Sequence, residues 1–205
     1  AYLNKAQYDL AIADYDQTLQ LDPNRALAYN NRGVTREEKK QIDLALADYN
    51  RAIQLDPNNA QFVRNRGTFQ HTRKEYGEAV KDLTTAIRLD PRDGKNHFER
   101  GRAYVNLGDE DKAIQDYTQS IRLDPSLSMA YRNRGGIYLG RGLHDLAIAD
   151  FTKRIEHQPN AGSILGSREK ECFERRKERR FPVAVAPDVA LVEGWNQVED
   201  LVAIL

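Results

Sequence analysis

Four histidines and one cysteine are the side chains with which this 205-residue chain could ligate a metal or attack a substrate: His71, His97, His144, His157 and Cys172. A metal site needs ligands at short, defined separations, and these histidines show no such spacing. Cys172 has no sequence-local base to turn its thiol into a nucleophile. No phosphate-cradling glycine loop is present, so neither a metal nor a cofactor is expected and the chain reads as non-enzymatic. A different chemistry is offered by Asn31, Asn65 and Asn133, which fall on a 34-residue step interrupted by Glu99. An amide carries both a donor and an acceptor, so a row of asparagines can grip the backbone of an extended peptide whatever its side chains.

The elements that must carry those amides repeat with the same step. Pro23, Pro57, Pro91, Pro125 and Pro159 form one ladder, Gly33, Gly67, Gly101 and Gly135 a second, and Ala11, Ala45, Ala79, Ala113 and Ala147 a third. Tyr15, Tyr49, Leu83, Tyr117 and Phe151 follow each alanine by four residues. Such a period marks a stack of supersecondary units rather than one closed core. Within a unit, apolar and small residues return at three- and four-residue steps from Arg25 to Gln41 and again from Ile42 to Leu55, which predicts two amphipathic helices. Proline disfavours helical geometry at the residue before it, so Asp56 should leave the helix ahead of Pro57. Asn58 and Asn59 are then expected to cap the next helix. Gly33 and Ala45 should face each other inside a hairpin, with the next hairpin's aromatic beside them. One hairpin cannot bury its apolar side, so neighbours must stack.

The second unit reads Tyr29-x2-Arg32-Gly33-x2-Arg36, Ala45-x3-Tyr49, Pro57, and the fourth His97-x2-Arg100-Gly101-x2-Tyr104, Ala113-x3-Tyr117, Pro125. This pattern resembles the tetratricopeptide repeat family over residues 1–161. The resemblance implies an all-α fold, a right-handed superhelix of stacked helix-turn-helix hairpins. It divides the chain into a partial repeat 1–25 and repeats 26–59, 60–93, 94–127 and 128–161. A solvating end helix is expected over 162–180, then an extended segment and a short amphipathic helix over 181–205. Ala1 falls part-way into a repeat, so the first helix of that hairpin is expected to be short. Where the family prefers leucine, this chain has Arg32, Arg66, Arg100 and Arg134, whose stems are expected to cover apolar surface while their heads reach water. Arg36 and Gln70 replace a tyrosine, and His97, in place of a packing aromatic, should be a core residue. Lys40 and Lys74 occupy a turn where later units have Gly108 and Gly142. If that turn is left-handed, each lysine costs about 1 kcal/mol.

In such arrays the first helix of each hairpin lines the inside of the curve, and its groove side falls at steps 2, 5, 6, 9, 12 and 13. The residues implied as peptide-binding are Asn31, Arg64, Asn65, Lys95, Arg102, Arg132 and Asn133. Glu37 and Glu38 should make the opposite end acidic, so an extended ligand with carboxylates near the later units is expected. The family's clamp for acidic chaperone tails is matched only at Asn65 and Lys95, with Asn30, Val34 and Glu99 departing from it. Alternatives are self-association through the 181–205 tail, or a targeting module of a larger enzyme. Lysine plus arginine equals aspartate plus glutamate at 31 each, which gives no support for a nucleic-acid partner. No apolar stretch is long enough for a membrane span. The lone Cys172 leaves the compartment open, a reducing cytoplasm being the better fit.

Overall fold

The computed structural model describes residues 5–157. The expectations for Cys172, for the end helix at 162–180 and for the 181–205 tail lie outside the described residues. Those that are described form nine helices and no strand: α1 (Lys5–Leu21), α2 (Ala26–Glu38), α3 (Ile42–Leu55), α4 (Ala60–Thr72), α5 (Tyr76–Leu89), α6 (Gly94–Asn106), α7 (Glu110–Leu123), α8 (Ser128–Gly140) and α9 (His144–His157). Two compact units divide the chain, Ala1–Asp124 and Pro125–Leu205. In the first, α2 pairs with α3, α4 with α5 and α6 with α7. Helix α1 lies on α2, and successive hairpins meet through α3 against α4 and α5 against α6. In the second, α8 pairs with α9.

Local sequence explains where the helices stop. Asp56, Asp90 and Asp124 each precede a proline, and their backbones swing to φ −137°, −136° and −138°, out of helical geometry as proline requires of its predecessor. The asparagine caps do not form. Asn59 is the N-cap residue of α4, yet its side chain makes no capping bond. Its side-chain bond is a donation from Nδ2 to the Asp56 carboxylate at 3.1 Å. Side-chain capping appears at α6 and α7, where Asp93 accepts from the Lys95 amide and Asp109 from the Lys112 amide. The turn inside each hairpin is left-handed, with Lys40 at φ 60° and Lys74 at φ 64° where Gly108 has 79° and Gly142 73°. A Cβ in that region crowds the following carbonyl, so the two lysines carry strain that the two glycines avoid.

Close helix approach accounts for the Gly-and-Ala ladders. A Cβ on Gly101 would lie 2.8 Å from the Tyr117 ring of the same hairpin. The aromatic that fills the glycine's space thus comes from within the hairpin, not from the next one. The next hairpin contributes a second ring, as Phe69 packs on Tyr49 with centroids 5.4 Å apart beside Ala45.

The arginines depart most from expectation. Each turns its guanidinium inward onto an aspartate 16 residues later. Arg32 grips Asp48 at 2.7 and 2.9 Å, Arg66 grips Asp82 at 2.7 Å twice, Arg100 grips Asp116 at 2.8 Å twice, and Arg134 grips Asp150 at 2.7 and 2.9 Å. The aspartates are buried, and a planar fork meeting a carboxylate bidentately is the geometry that offsets such desolvation. The remaining nitrogen reaches back one hairpin along the same register, Arg66 to Asn50 at 2.8 Å and Arg100 to Thr84 at 3.1 Å. Leucine at these positions would pack but could not fix the stacking register. Two replacements join the same system: Arg36 adds a bond to Asp48 at 2.7 Å, and buried His97 places Nδ1 3.0 Å from Asp116. His97 is a core residue, as the sequence implies.

Candidate functional site

Helices α2, α4 and α6 of the first unit run side by side, and each turns one stripe to solvent. Positions three and four apart share a helix face, so the stripes read Leu27, Asn31, Val34 and Glu38 on α2; Gln61, Asn65, Thr68 and Thr72 on α4; and Lys95, Glu99, Arg102 and Asn106 on α6. All twelve are exposed or half-buried. Asn31, Asn65, Lys95 and Arg102 therefore sit on one surface.

Hydrogen bonds between neighbouring helices hold this surface. Asn30 is buried beneath it and donates to Asn31 Oδ1 at 3.1 Å. Asn65 Nδ2 crosses from α4 to Asn30 Oδ1 at 2.9 Å. The relay leaves Asn31 Nδ2 and Asn65 Oδ1 with no hydrogen-bond partner among the described residues. Arg64 behaves differently. Its guanidinium is tied to Asp93 and, at 3.2 Å, to Asn96, both at the start of α6, so its charge joins two hairpins. Arg102 is half-engaged, paired with Glu99 at 2.7 Å and lying over the Phe98 ring. The Lys95 side chain is exposed, and its ammonium makes no ion pair among the described residues. Arg132 and Asn133 lie on α8 in the second unit, the arginine exposed and the asparagine half-buried.

Further links run along the far end of the stripes. Glu37 accepts from Tyr49 Oη at 2.8 Å and from Thr72 Oγ1 at 3.3 Å. Burial pushes its carboxyl above the ordinary glutamate value, against those two bonds. Glu37 is thus a structural acceptor, and the expected acidic end is left to the exposed Glu38. His71 Nε2 lies 3.0 Å from Asn106 Nδ2. Burial first, and the Arg102 charge second, lower its pKa below 6.5, so the neutral ring accepts from the amide. Among the described residues no cluster of histidine, cysteine, aspartate and glutamate could hold a metal. None of the described helices is long and apolar enough to cross a membrane.

Sequence reasoning missed two groups. One is the set of buried aspartates Asp48, Asp82, Asp116 and Asp150, although their constant 16-residue offset from the arginines was in plain view. The other is the buried amide Asn96, while Asn30, which helical spacing puts at step 5 of the groove side, is instead buried beneath that face. Asn96 donates to the carbonyls of Ala86 and Asp90, and no periodic signal separates such an amide from a surface one.

A tetratricopeptide repeat family model matches residues 26–59 and a second matches 94–127, while a TPR repeat model covers 1–40. No curated protein matches the chain. Among solved structures, MamA is 28% identical with a TM-score of 0.67, over 78% of this chain and 93% of that one. PilF of Pseudomonas aeruginosa is 22% identical with a TM-score of 0.75, over 86% and 81%. YrrB, described as a TPR protein with an unusual peptide-binding site, is 19% identical with a TM-score of 0.64, over 81% and 85%. The last two share the fold. With its recurring hairpins, proline-terminated helices and family matches over residues 1–59 and 94–127, the chain belongs to the tetratricopeptide repeat proteins and is an all-α solenoid of that family.

Proposed function

We propose that this chain is a non-enzymatic interaction scaffold that holds an extended peptide, or an extended segment of a partner protein, across the stripes of α2, α4 and α6. The observation that carries the reading is the amide pair Asn31 and Asn65, joined through buried Asn30 so that one free donor and one free acceptor are left on a solvent-facing row. An extended backbone offers both complements at every residue, so this pair binds main chain and is indifferent to side chains. Lys95 supplies a free positive charge beside it, and Arg102 a second that Glu99 partly neutralises. Arg64 acts on this site through the framework, by fixing α4 against α6. Arg132 and Asn133 offer the same residue types on the second unit.

Each lost hydrogen bond to a peptide backbone is worth about 0.5–1.5 kcal/mol. Replacing both Asn31 and Asn65 with alanine should therefore weaken every extended peptide by about tenfold or more, whatever its sequence. Fluorescence anisotropy with a panel of labelled peptides measures this, with circular dichroism confirming that the variant stays folded. Binding unchanged across the panel would overturn the reading.

A further inference from the structure

The two positions that flank the central amide row change character from helix to helix. On α2 they are Leu27 and Val34, on α4 Gln61 and Thr68, and on α6 Lys95 and Arg102. Leu27 is 51% exposed and Val34 39%, so α2 shows solvent an apolar platform on either side of Asn31. At the other end Glu99 is spent on Arg102, which leaves Lys95 as the unneutralised cation. One surface thus runs from apolar through neutral polar to cationic, in register with the repeat.

Resting on the peptide-binding reading above, we infer that the ligand of this surface is a peptide with an aliphatic side chain seated on Leu27, the more exposed of the two apolar residues, and an acidic side chain on Lys95, its intervening backbone held by Asn31 and Asn65. The charge complementarity is specific to Lys95, and the apolar complementarity to α2, whose counterparts on the other two helices are polar. Packed helix axes lie about 8–10 Å apart, so α2 and α6 are separated by roughly 16–20 Å. An extended chain advances about 3.3 Å per residue, with alternate side chains on one face. The two recognised side chains are therefore ~6 positions apart, an even number that turns both toward the surface.

Acetylated and amidated peptides test this: one with leucine and glutamate six positions apart, an isomer of the same composition with them three apart, and a third with lysine replacing the glutamate at the wide spacing. The wild-type chain should bind the wide glutamate peptide about tenfold more tightly than the narrow isomer, and that preference should fade as salt rises. Lys95→Glu should transfer the preference to the lysine peptide, and Leu27→Ser should erase the contribution of the leucine alone. Equal binding of the two isomers, or a glutamate preference that survives Lys95→Glu, would overturn this register. If the alanine replacements at Asn31 and Asn65 still weakened all the peptides, only the register would fall. If they too were silent, the scaffold reading would fall with it.

Discussion

Hairpins α4–α5 and α6–α7 are neighbours in one unit and share one repeat pattern, yet they are secured differently. In α6–α7 the left-handed turn is a glycine, Gly108. Side chains cap both helices, and a tyrosine ring fills the space over Gly101. Buried Asp116 is held by both Arg100 and His97. In α4–α5 the same turn strains Lys74, neither helix has a side-chain cap, and Leu83 stands where the ring would be. Asp82 has Arg66 alone among the described residues, and Gln70 Oε1 is buried with no partner. Fidelity to the repeat positions the helices, and side-chain detail then sets how firmly each hairpin holds.

Electrostatics separates α6–α7 from α8–α9 as well. Burial opposes ionisation of Asp116, but the bonds from Arg100 and His97 reverse it and hold the carboxyl below its ordinary value. At Asp150 burial prevails over Arg134, and the carboxyl stays above its ordinary value. The hydrogen bond from His97 to Asp116 is one that Asp150 lacks among the causes acting on its carboxyl.

The largest expected effect comes from removing the sole partner of a buried carboxylate. Arg66→Met should cost about 3–5 kcal/mol, because Asp82 is left charged and unpaired. Arg100→Met should cost less, since His97 still reaches Asp116. Urea unfolding of the two variants measures the difference, and equal losses would show that His97 gives Asp116 no useful compensation.

Next in size is the turn. Lys74→Gly should stabilise the chain by about 1 kcal/mol, and Gly108→Lys should destabilise it by a similar amount, since a left-handed residue with a Cβ costs about 1–2 kcal/mol. Thermal midpoints of both variants test the pair. A loss on Lys74→Gly would mean that unfolded-chain entropy outweighs the relief of strain.

The smallest effect is on pH response. His71 titrates below 6.5 in the folded chain, so the folded state binds its proton less well than the unfolded state. The stability gained from neutral His71 is complete above pH 6.5 and is lost as pH falls through the lower, folded-state value. Denaturation midpoints should therefore drop more steeply between pH 7 and pH 5 for the wild type than for His71→Gln. Parallel curves would show that the α4–α6 link through Asn106 is indifferent to charge.

Much of the molecule was legible before any coordinates. The proline step placed the helix ends, because a proline acts on the residue beside it. The first positions Ala26, Ala60, Gly94 and Ser128 coincide with helix starts. Lys40 and Lys74 were readable as strained because two glycines hold the same place in later repeats. Of the candidate surface, the shared face of Asn31, Asn65, Lys95 and Arg102 followed from helical spacing alone. The role of Arg64 did not follow, since nothing local distinguishes a cation aimed at solvent from one aimed at Asp93 in the next hairpin.

The amino-acid order by itself determined the repeat, the helices and the turns, since these depend on backbone preferences and on neighbours within about one helical turn. Tertiary structure alone decided the pairing of Arg32, Arg66, Arg100 and Arg134 with aspartates 16 residues away, and the amide relay through Asn30. Those contacts exist only when a hairpin has closed or two hairpins have stacked. Burial then makes an unpaired polar group costly enough to select its partner.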